Sequence, residues 1–328
     1  TDNYVTGYLG GRTRHFKILL LQYNVLVIFK TIITAAMLIV GTYLLVEQQL
    51  TIGQFIAAEI VILLLLGSVE KLIMTLSNVY DTLTAVEKLA KMTDKPAESP
   101  GTLDMPEKKE GMKIDFKDVA FGYTDTETIL HDVNFTLHPG EKVCIAGADG
   151  SGKSTLLRLM AGAYFGFSGS IAFDNLPVTN YTPESYRRQM GVLLYQQDIF
   201  QGSLLENITL GNASITIDEI ISLAAVTGLD SFIASQSDGF ETILDPAGKR
   251  LPKSIVHRIL LLRALVGNPR LLLLEDPFDK MDEAHRTALT NLLLSLKNTT
   301  VVITGKPETD DSAWDTTILI EDGTTRIL

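Results

Sequence analysis

The sequence predicts an all-α helical segment that spans a membrane, followed by an α/β domain that carries a helical subdomain. Three observations lead to this fold class. Two long apolar runs lie within residues 1–92. From residue 112 onward, short β-type runs alternate with helical patterns, which is typical of a sheet covered by helices. Between one of these strands and one of these helices, residues 147–155 match the P-loop pattern of a glycine, four residues and Gly-Lys-Ser.

The bulk composition agrees with a chain of two parts. A length of 328 residues favours two domains, and the 46% of hydrophobic residues are concentrated near the N-terminus. A net charge of −11 argues against a nucleic-acid partner, because phosphate backbones bind clustered Lys and Arg. The single cysteine, Cys144, allows no disulfide within the chain. Since the chain begins with Thr1 and no signal peptide is recognisable, we expect a fragment or a processed product.

The first apolar run extends from about Arg14 to Val46. As one helix, about 33 residues at ~1.5 Å each reach ~50 Å, which exceeds the ~30 Å hydrocarbon core of a bilayer. We therefore expect the first part of this helix to project into the cytosol. After a polar link at residues 47–53, a second run begins at Phe55, and its helical pattern continues to about Met92.

Charges around the two runs indicate their orientation. Basic residues flank the outer ends of the pair, whereas the link has none; they are Arg12, Arg14, Lys17, Lys71, Lys88 and Lys91. By the positive-inside rule, both outer ends are then cytoplasmic and the link lies outside. The alternative, a pair of core helices in a soluble bundle, fits the length and the uniform apolarity of the runs less well.

Two ionisable residues lie inside the runs. Each would cost about 2.5–3.5 kcal/mol at the centre of a bilayer. Glu59 is therefore expected to face a partner helix or a wet cavity. Two roles for it remain as alternatives, one in helix packing and one in a transport pathway. Lys30 is expected at the membrane boundary of the long helix.

A change of composition between residues 93 and 111 marks a linker. Lys, Pro, Glu, Ser and Gly replace the apolar periodicity there. The sequence thus predicts three regions. Residues 1–92 form transmembrane helices with cytosolic extensions, residues 93–111 form the linker, and residues 112–328 form the α/β domain.

The α/β domain is predicted to alternate strands and helices. Leu271–Leu274 is a continuous apolar run of the kind found in a strand that is covered on both faces. The other predicted strands are Ile114–Phe116, Val119–Tyr123, Val133–Leu137, Val143–Ala146, Ser170–Phe173, Met190–Leu194, Thr300–Thr304, Thr317–Ile320 and Thr325–Leu328. Beyond the helix that follows the P-loop, the predicted helices are Leu204–Leu210, Asp218–Val226, Lys253–Val266 and Ala284–Leu296.

The P-loop pattern carries the chemistry of a nucleotide site. Its residues are Gly147, Ala148, Asp149, Gly150, Ser151, Gly152, Lys153, Ser154 and Thr155. Glycines allow backbone N–H groups to curl around phosphate oxygens, and a helix N-terminus adds a partial positive charge. Lys153 supplies a full charge to the outer phosphates, and the Ser154 hydroxyl can bind magnesium. A Gly-rich turn alone would be only a turn, but its position between a strand and a helix predicts nucleotide binding.

Two membrane helices, a linker and a P-loop domain resemble the C-terminal portion of an ATP-binding cassette (ABC) exporter half-transporter, over essentially the whole chain. The fold expected from this resemblance is an all-α transmembrane segment followed by an α/β P-loop NTPase domain of ABC type with a helical subdomain. Half-transporters of the family carry six membrane helices, and this chain has what resemble the last two. The resemblance implies ATP and Mg²⁺ as cofactors and a multi-pass location in the lipid bilayer of the cytoplasmic (inner) membrane, with the nucleotide-binding domain in the cytosol.

The motifs of the family map onto this sequence one at a time. Phe121-Gly122-Tyr123 matches the aromatic loop, so Tyr123 is expected to stack on adenine, although a Tyr at a strand end also serves for packing. The Gln that approaches magnesium is replaced by Tyr195. A shift of one residue would assign the role to Gln196, but the downstream sequence fits the family register without a gap.

Other family motifs are altered. Residues 251–255, Leu-Pro-Lys-Ser-Ile, stand where the family has Leu-Ser-Gly-Gly-Gln, so the glycines that meet the opposite γ-phosphate are missing. Glu275 and Asp276 replace an Asp–Glu pair, which assigns magnesium to Glu275 and the general base to the shorter Asp276. Asp282 matches the Asp that closes the following loop. Gly305 occupies the place of the switch His, and His285 is expected to be a surface residue.

These changes predict an ATP-binding subunit with weak hydrolysis, because a positioned base contributes about 10²–10⁴-fold in rate. The expected partner is a second half-transporter subunit, forming a heterodimer with a competent ABC half, and the transported substrate is unknown. The runner-up interpretation is a degenerate ATP-binding protein with a regulatory, non-transporting role. A soluble ATPase subunit that serves a separate permease is disfavoured by the fused helices.

Overall fold

The structure is a computed structural model that describes residues 2–94, 101–124, 127–305 and 314–328. It divides into two compact units, Thr1–Ala97 and Glu98–Leu328. Residues 95–100 of the predicted linker lie outside the described residues.

The first unit is a hairpin of two long helices, α1 (Asp2–Val46) and α2 (Ile52–Thr93). Helix α1 begins well before the apolar run that starts near Arg14. Thr51 ends the short connection as the N-cap of α2: its hydroxyl accepts a hydrogen bond from the Gln54 N–H at 3.3 Å, and the Gln54 side chain accepts one from the Thr51 N–H at 2.9 Å. Two otherwise unpaired N–H groups at the helix start are satisfied in this way.

An ion pair between Lys30 and Glu70 joins the two helices. Lys30 precedes Val46 by sixteen positions, and Glu70 follows Ile52 by eighteen positions. At about 1.5 Å per residue, the pair lies ~24–27 Å from the connection. This is close to the ~30 Å thickness of a hydrocarbon core. The place of Lys30 at a membrane boundary stays a prediction.

Both helices contain stretches long and apolar enough to cross a membrane. These are Leu9–Val46, with 38 residues, and Ile52–Leu72, with 21 residues, and each has a mean hydropathy of 2.2. Only 6% of the most apolar part of each stretch is buried. Within this unit the two helices are therefore not covered in the way that core helices of a soluble bundle are.

The second unit contains twelve strands and seven helices among its described residues. The strands are β1 (Ile114–Phe121), β2 (Leu130–Leu137), β3 (Lys142–Gly147), β4 (Ser168–Phe173), β5 (Leu176–Pro177), β6 (Met190–Leu193), β7 (Gly202–Ser203), β8 (Ile243–Leu244), β9 (Leu271–Leu274), β10 (Thr300–Thr304), β11 (Thr316–Glu321) and β12 (Thr324–Ile327). The helices are α3 (Lys153–Met160), α4 (Pro183–Arg187), α5 (Leu204–Thr209), α6 (Ile217–Thr227), α7 (Asp230–Ser235), α8 (Lys253–Leu265) and α9 (Glu283–Ser295). Short 3₁₀ turns lie at Val178–Asn180, Gly239–Glu241 and Pro246–Gly248.

The main sheet has the strand order β12-β11-β3-β10-β9-β6, and all its strands except the edge strand β12 run parallel. All four leucines of β9 are fully buried, as expected for a central strand with both faces covered. Alternate residues of this strand enter two different hydrophobic cores, one on each face. The carboxyl ends of β3, β6, β9 and β10 therefore meet at one edge of the sheet.

A second, antiparallel sheet has the order β2-β1-β4-β5. The prediction of two strands, Ile114–Phe116 and Val119–Tyr123, is wrong, because β1 is a single strand that contains a bulge. Asp118 in the bulge has φ +51°. The Asn134 side chain accepts a hydrogen bond from the Asp118 N–H at 2.9 Å and donates one to its carboxylate at 3.1 Å. These bonds hold the irregular residue within a continuous strand.

Helices α5 to α8 form the helical subdomain. Ser203 starts α5 with a capping box: Ser203 Oγ accepts from the Glu206 N–H at 3.1 Å, and the Glu206 carboxylate accepts from the Ser203 N–H at 2.7 Å. Helices α5 and α6 pack on α8. Helix α7 was not predicted, because six residues are too few to show a helical period.

Residues 101–111 of the predicted linker pack within the second unit, whereas Thr93 and Asp94, its first two residues, end helix α2. The N–H of Leu103 donates to the Asn180 carbonyl at 3.0 Å, and the side chain of Met105 is 4% exposed. Residues 101–111, which we call the strap, thus have the polar composition of a linker but are packed on the 3₁₀ turn at Val178–Asn180.

Candidate nucleotide-binding site

The P-loop connects the carboxyl end of β3 to α3. Val143 and Ile145 of β3 are fully buried and fix the strand in the sheet. At the turn, Gly147 has φ +148°, and a Cβ there would lie 2.5 Å from the Ile320 carbonyl oxygen of β11. The loop therefore leaves β3 along a path that only glycine allows.

The loop fits a phosphate group. The hydroxyl of Ser151 is buried and has no hydrogen-bond partner among the described residues. Helix α3 begins at an N-cap, Gly152, that offers no side-chain hydrogen bond to the N–H groups of the first turn. Uncapped N–H groups at a helix start and an unpaired hydroxyl are donors that an anion can satisfy. Residues 147–155 thus connect a strand to the start of a helix, which is the arrangement that the sequence predicted.

Lys153 lies over the loop. Its ammonium donates hydrogen bonds to the carbonyls of Gly147 at 2.8 Å and Ala148 at 2.7 Å. The carboxylate of Asp149, which is fully exposed, lies 3.9 Å away. The positive charge is therefore held at the loop, where a polyphosphate would meet it.

Tyr123 is fixed beside the P-loop helix. Its hydroxyl lies 3.1 Å from the Thr155 hydroxyl and accepts a hydrogen bond from Arg158 at 3.2 Å. Its ring stands edge-on to Phe121 and Tyr164, with centroids 5.2 and 5.5 Å away. The residue is 46% exposed, so the site has an aromatic surface at the end of β1. Stacking of this ring on adenine stays a prediction.

Glu275 joins the ends of β6 and β9. Its side chain is 8% exposed, and its carboxylate accepts a hydrogen bond from the Tyr195 N–H at 2.8 Å. Its own N–H donates to the Leu193 carbonyl at 2.8 Å. Tyr195 contacts Glu275 through its backbone, while its side chain is 83% exposed. The assignment of Mg²⁺ to Glu275 and to the P-loop hydroxyl of Ser154 stays a prediction.

Asp276 follows in a strained conformation with φ +44°. Its N–H donates to the Thr304 hydroxyl at 3.1 Å. A Cβ placed on Gly305 would lie 2.7 Å from the Asp276 carboxylate, so this carboxylate occupies the space next to residue 305. Burial, followed by the negative charge of Glu275, raises the pKa of Asp276 above its ordinary value, and Lys153 opposes this shift.

Gln196 is exposed, and none of the hydrogen bonds of the described residues involves its side chain. The next residue, Gln197, instead accepts a hydrogen bond from the Leu194 N–H at 3.2 Å. The predicted catalytic roles of Gln196 and Asp276 stay predictions.

Comparison with known proteins identifies the second unit. The family model for the ABC transporter matches residues 130–279. These residues are an ABC transporter domain. We call the second unit, Glu98–Leu328, the ABC domain from here on.

Exporter proteins match nearly the whole chain. The alpha-hemolysin translocation ATP-binding protein HlyB of Escherichia coli O157:H7 is 29% identical over 309 residues, which are 92% of this chain and 43% of that protein. The leukotoxin translocation ATP-binding protein LktB of Mannheimia haemolytica is 30% identical over 305 residues, again 92% of this chain and 43% of that protein. This chain thus spans less than half the length of these relatives.

A solved structure, of a bacterial Atm1-family ABC exporter with ATP bound, matches with a TM-score of 0.69 and 23% sequence identity. The match covers 84% of this chain and 49% of that chain, and it shows the fold alone. The predicted fold class, a helical segment followed by an α/β domain of ABC type, is confirmed. The homology to ABC exporters is confirmed with it.

Residues 251–255, the predicted counterpart of the family signature, contain the start of α8. The N-cap is Pro252, which offers no side-chain cap, and the helix begins at Lys253. Proline lacks an N–H, and the side chains of Lys253 and Ser254 stand in the first turn of the helix. Of these three residues only Pro252 lacks a backbone N–H; Lys253 and Ser254 keep theirs but carry side chains where glycine has none.

Asp282 caps helix α9. Its carboxylate accepts from the His285 N–H at 3.1 Å and lies 2.6 Å from the His285 ring. The hydrogen bonds from His285 lower the pKa of Asp282. His285, expected to be a surface residue, is partly exposed and bound to this cap.

A cleft of about 720 Å³ opens next to Asp276 and Gly305, at the carboxyl ends of β6, β9 and β10. The start of α8 forms its opposite wall and contributes His257, which the sequence analysis did not select. A residue in the middle of an apolar helical pattern gives no sign in the sequence that it faces a cleft. Among the residues that line the cleft are Tyr195, Glu275 and Asp276.

Proposed function

We propose that this chain is the ATP-binding part of an ABC-type membrane exporter, in which ATP binding drives export. The observation that carries the proposal is the geometry of the P-loop. Gly147, the unpaired hydroxyl of Ser151 and the ammonium of Lys153 form a cradle for a polyphosphate. The similarity to toxin translocation ATP-binding proteins supports export rather than uptake.

Magnesium completes the proposed site. Ser154 follows Lys153 at the start of α3, and Glu275 follows the last residue of β9. A hydroxyl and a carboxylate are the oxygen ligands that Mg²⁺ prefers. When bound, magnesium neutralises charge on the outer phosphates.

Hydrolysis at this site is proposed to be weak. The Asp276 carboxylate is one methylene shorter than a glutamate and is turned toward Gly305. Its raised pKa disfavours the ionised form that accepts a proton from water. Gly305 offers no imidazole, and Tyr195 offers no side-chain amide. Binding of ATP depends on the P-loop residues instead. We therefore expect the protein to bind ATP even though it hydrolyses ATP slowly.

The proposed partner is a different half-transporter subunit with intact catalytic residues. Two copies of this chain would place Pro252, Lys253 and Ser254 opposite each nucleotide. A competent partner would instead supply a glycine-rich signature to the nucleotide that Lys153 binds. The proposed arrangement in the cell is multi-pass in the cytoplasmic (inner) membrane, with residues 1–92 in or beside the bilayer, residues 93–111 as the connection and residues 112–328 in the cytosol.

The test uses the purified full-length protein that contains this chain. We expect MgATP to bind and to be hydrolysed at least about tenfold more slowly than by an ordinary exporter, since a well-placed general base alone contributes about 10²–10⁴-fold in rate. Lys153→Ala should abolish binding, and Lys109→Ala serves as an exposed control outside the cleft. Failure of the native protein to bind MgATP would refute the proposal. Fast turnover that Lys153→Ala abolishes would refute the weak-hydrolysis part.

A regulatory, non-transporting ATP-binding protein is the second candidate. The proline at the N-cap of α8 and the glycine at position 305 favour it, because both remove parts that a transport cycle uses. Reconstitution into liposomes with the co-purifying partner separates the two functions. Export that depends on ATP supports the first, whereas ATP binding without any transported molecule supports the second.

A further inference from the structure

His257 is a half-buried histidine that the proposed nucleotide site does not use. It belongs to α8, and neither of its ring nitrogens is accessible to solvent. Neither nitrogen makes a hydrogen bond of ordinary geometry among the residues that the structure describes, although the Asp276 backbone lies close enough to favour the charged form of the ring. A buried polar group without a partner is costly, and such groups are uncommon in folded proteins. The position of His257 therefore calls for a partner in another state of the molecule.

Charged groups of both signs surround the ring in the cleft. The acidic residues on the walls are Asp198, Glu275, Asp276 and Asp279, and the basic ones are Lys249, Lys253, Lys280 and Arg286. The carboxylate of Asp279 acts on the ring more strongly than the other charges do, and Lys280 opposes it. Asp279 lies in the loop that begins at Asp276 and ends at the α9 cap, Asp282.

The surroundings of the ring disfavour its charged form. Burial lowers the pKa of His257 below its ordinary value, and the Asp279 carboxylate and the nearby Asp276 backbone compensate for this only in part. Asp279 at present pairs with its neighbour Lys280 at 3.1 Å, and both side chains are about half exposed. Such an exposed pair contributes little, so the carboxylate can exchange one partner for another at small cost.

We propose that His257 is a positioning residue for the nucleotide site: when ATP is bound, its imidazole hydrogen bonds to the Asp279 carboxylate and holds the loop that starts at Asp276. The proposal rests on the proposed binding of ATP. Asp276 is the first residue of this loop, and the charge of Lys153 acts on its carboxylate, so a polyphosphate bound to Lys153 would change the electrostatic field at the start of the loop. The hydrogen bond between His257 and Asp279 would connect α8, which begins in residues 251–255, to the loop that follows β9.

The proposal gives ATP binding a defined pH dependence. An imidazole that gains a carboxylate partner has its pKa raised. The contribution of the His257–Asp279 contact to affinity is then largest at low pH and is lost as the pH rises through the raised pKa. A rise of one pKa unit corresponds to a change of up to about tenfold in Kd.

The experiment measures the Kd of MgATP between about pH 6 and pH 8, around the ordinary pKa of histidine, for the full-length protein in lipid nanodiscs. The variants are His257→Gln, Asp279→Asn and the double variant, and the matched control is His131→Gln, which changes an exposed histidine on β2. Glutamine keeps a hydrogen-bonding side chain but does not titrate. In the native protein and in His131→Gln, we expect the Kd to rise several-fold more across this pH range than in the three variants.

The outcomes distinguish a paired role of the two residues from a structural role of His257. If either single variant removes the extra pH dependence and the double variant removes no more, the two residues act as a pair. If all variants bind MgATP with the same pH dependence as the native protein, the pairing of His257 with Asp279 is overturned while ATP binding stands. If His257→Gln weakens binding equally at every pH, His257 is structural and the proposal is overturned. If the native protein binds no MgATP, the proposed function itself fails, and this inference fails with it.

Discussion

Asp276 and Gly305 illustrate how two residues from distant parts of the sequence form one feature. The Asp276 carboxylate lies where a Cβ on residue 305 would come within 2.7 Å of it. Gly305 also has φ +100°, a conformation that side chains of L-residues rarely adopt. The absence of a side chain at position 305 therefore leaves room for the Asp276 carboxylate. A side chain added at position 305 would clash with this carboxylate and would also strain the backbone.

We expect Gly305→Ala to destabilise the ABC domain by about 1–3 kcal/mol, the usual cost of a strained backbone position. Trp314, the single tryptophan of the sequence, is 6% exposed and belongs to this domain, so its fluorescence reports the unfolding. Gly166→Ala is the control, because a Cβ there meets nothing within 4 Å. Combining Gly305→Ala with Asp276→Ala should recover part of the loss. Equal stability of Gly305→Ala and Gly166→Ala would contradict the steric account.

The sequence was enough to predict the P-loop residues of this site but not the arrangement around Asp276. A P-loop is contiguous, so its spacing alone places Gly147, Lys153 and Ser154 together. His257 and Gly305 come together with Asp276 only through the pairing of β9 with β10 and the packing of α8. Such proximity depends on the tertiary structure and leaves no local pattern in the sequence.

At the scale of single elements, short apolar periods predicted strands and helices well, and irregular residues caused the errors. Asp118 and the polar residue before it interrupt the alternation of β1, so the sequence suggested two strands. The side chain of Asn134, on the neighbouring strand, holds the bulge within one strand. This bond joins residues sixteen positions apart and is not visible in the periodicity of either segment.

The capping box of α5 offers a test at this scale. Ser203 is 5% exposed, and its hydroxyl satisfies the Glu206 N–H in a short helix that packs on α8. We expect Ser203→Ala to lower the free energy of unfolding of the ABC domain by about 1–2 kcal/mol, the upper part of the range for N-caps. Ser222→Ala, on the exposed face of α6, should change it by less than about 0.5 kcal/mol. Similar values for both variants, measured through Trp314 fluorescence, would argue against the cap.

At the scale of the whole ABC domain, a buried ion pair joins its two sheets. Arg270, at the start of β9, donates to the Asp174 carboxylate at 2.8 Å, and both side chains are 6% exposed. Lys108, from the strap of residues 101–111, approaches the same carboxylate at 3.0 Å. Burial raises the pKa of Asp174, but the hydrogen bonds from Arg270, Lys108 and the Lys113 N–H, together with the charge of Arg270, leave it below the ordinary value of 3.8.

This pair predicts a specific dependence of stability on pH. Because the pKa of Asp174 is lower in the folded state, its contribution is complete above the ordinary pKa and is lost as the pH falls through the lowered value. At about pH 7, we expect Asp174→Asn to cost about 3–5 kcal/mol, since it leaves Arg270 buried without a charge partner. The difference from the native protein should shrink below about pH 4. The exposed Glu107→Gln is the control, and a difference that stays constant from neutral pH to below the ordinary pKa would contradict the ionic role of Asp174.

The orientation of the helical hairpin is a property of the whole chain, and cysteine labelling can test it. Cys144 is 4% exposed, so it serves as an unreactive background for single cysteines placed elsewhere. The positive-inside rule places the connection between α1 and α2 outside and the end of α2 in the cytosol. We therefore expect a membrane-impermeant maleimide to modify Gln49→Cys in intact cells, and to modify Lys88→Cys only after the membrane is permeabilised. Both side chains are exposed in the structure, so accessibility to the reagent depends on the membrane and not on burial.

Modification of Lys88→Cys in intact cells would show that the orientation is the reverse of the predicted one. If the protein is recovered without membranes and both cysteines react in the same way, the hairpin is part of a soluble bundle, which is the alternative that the apolar runs disfavour.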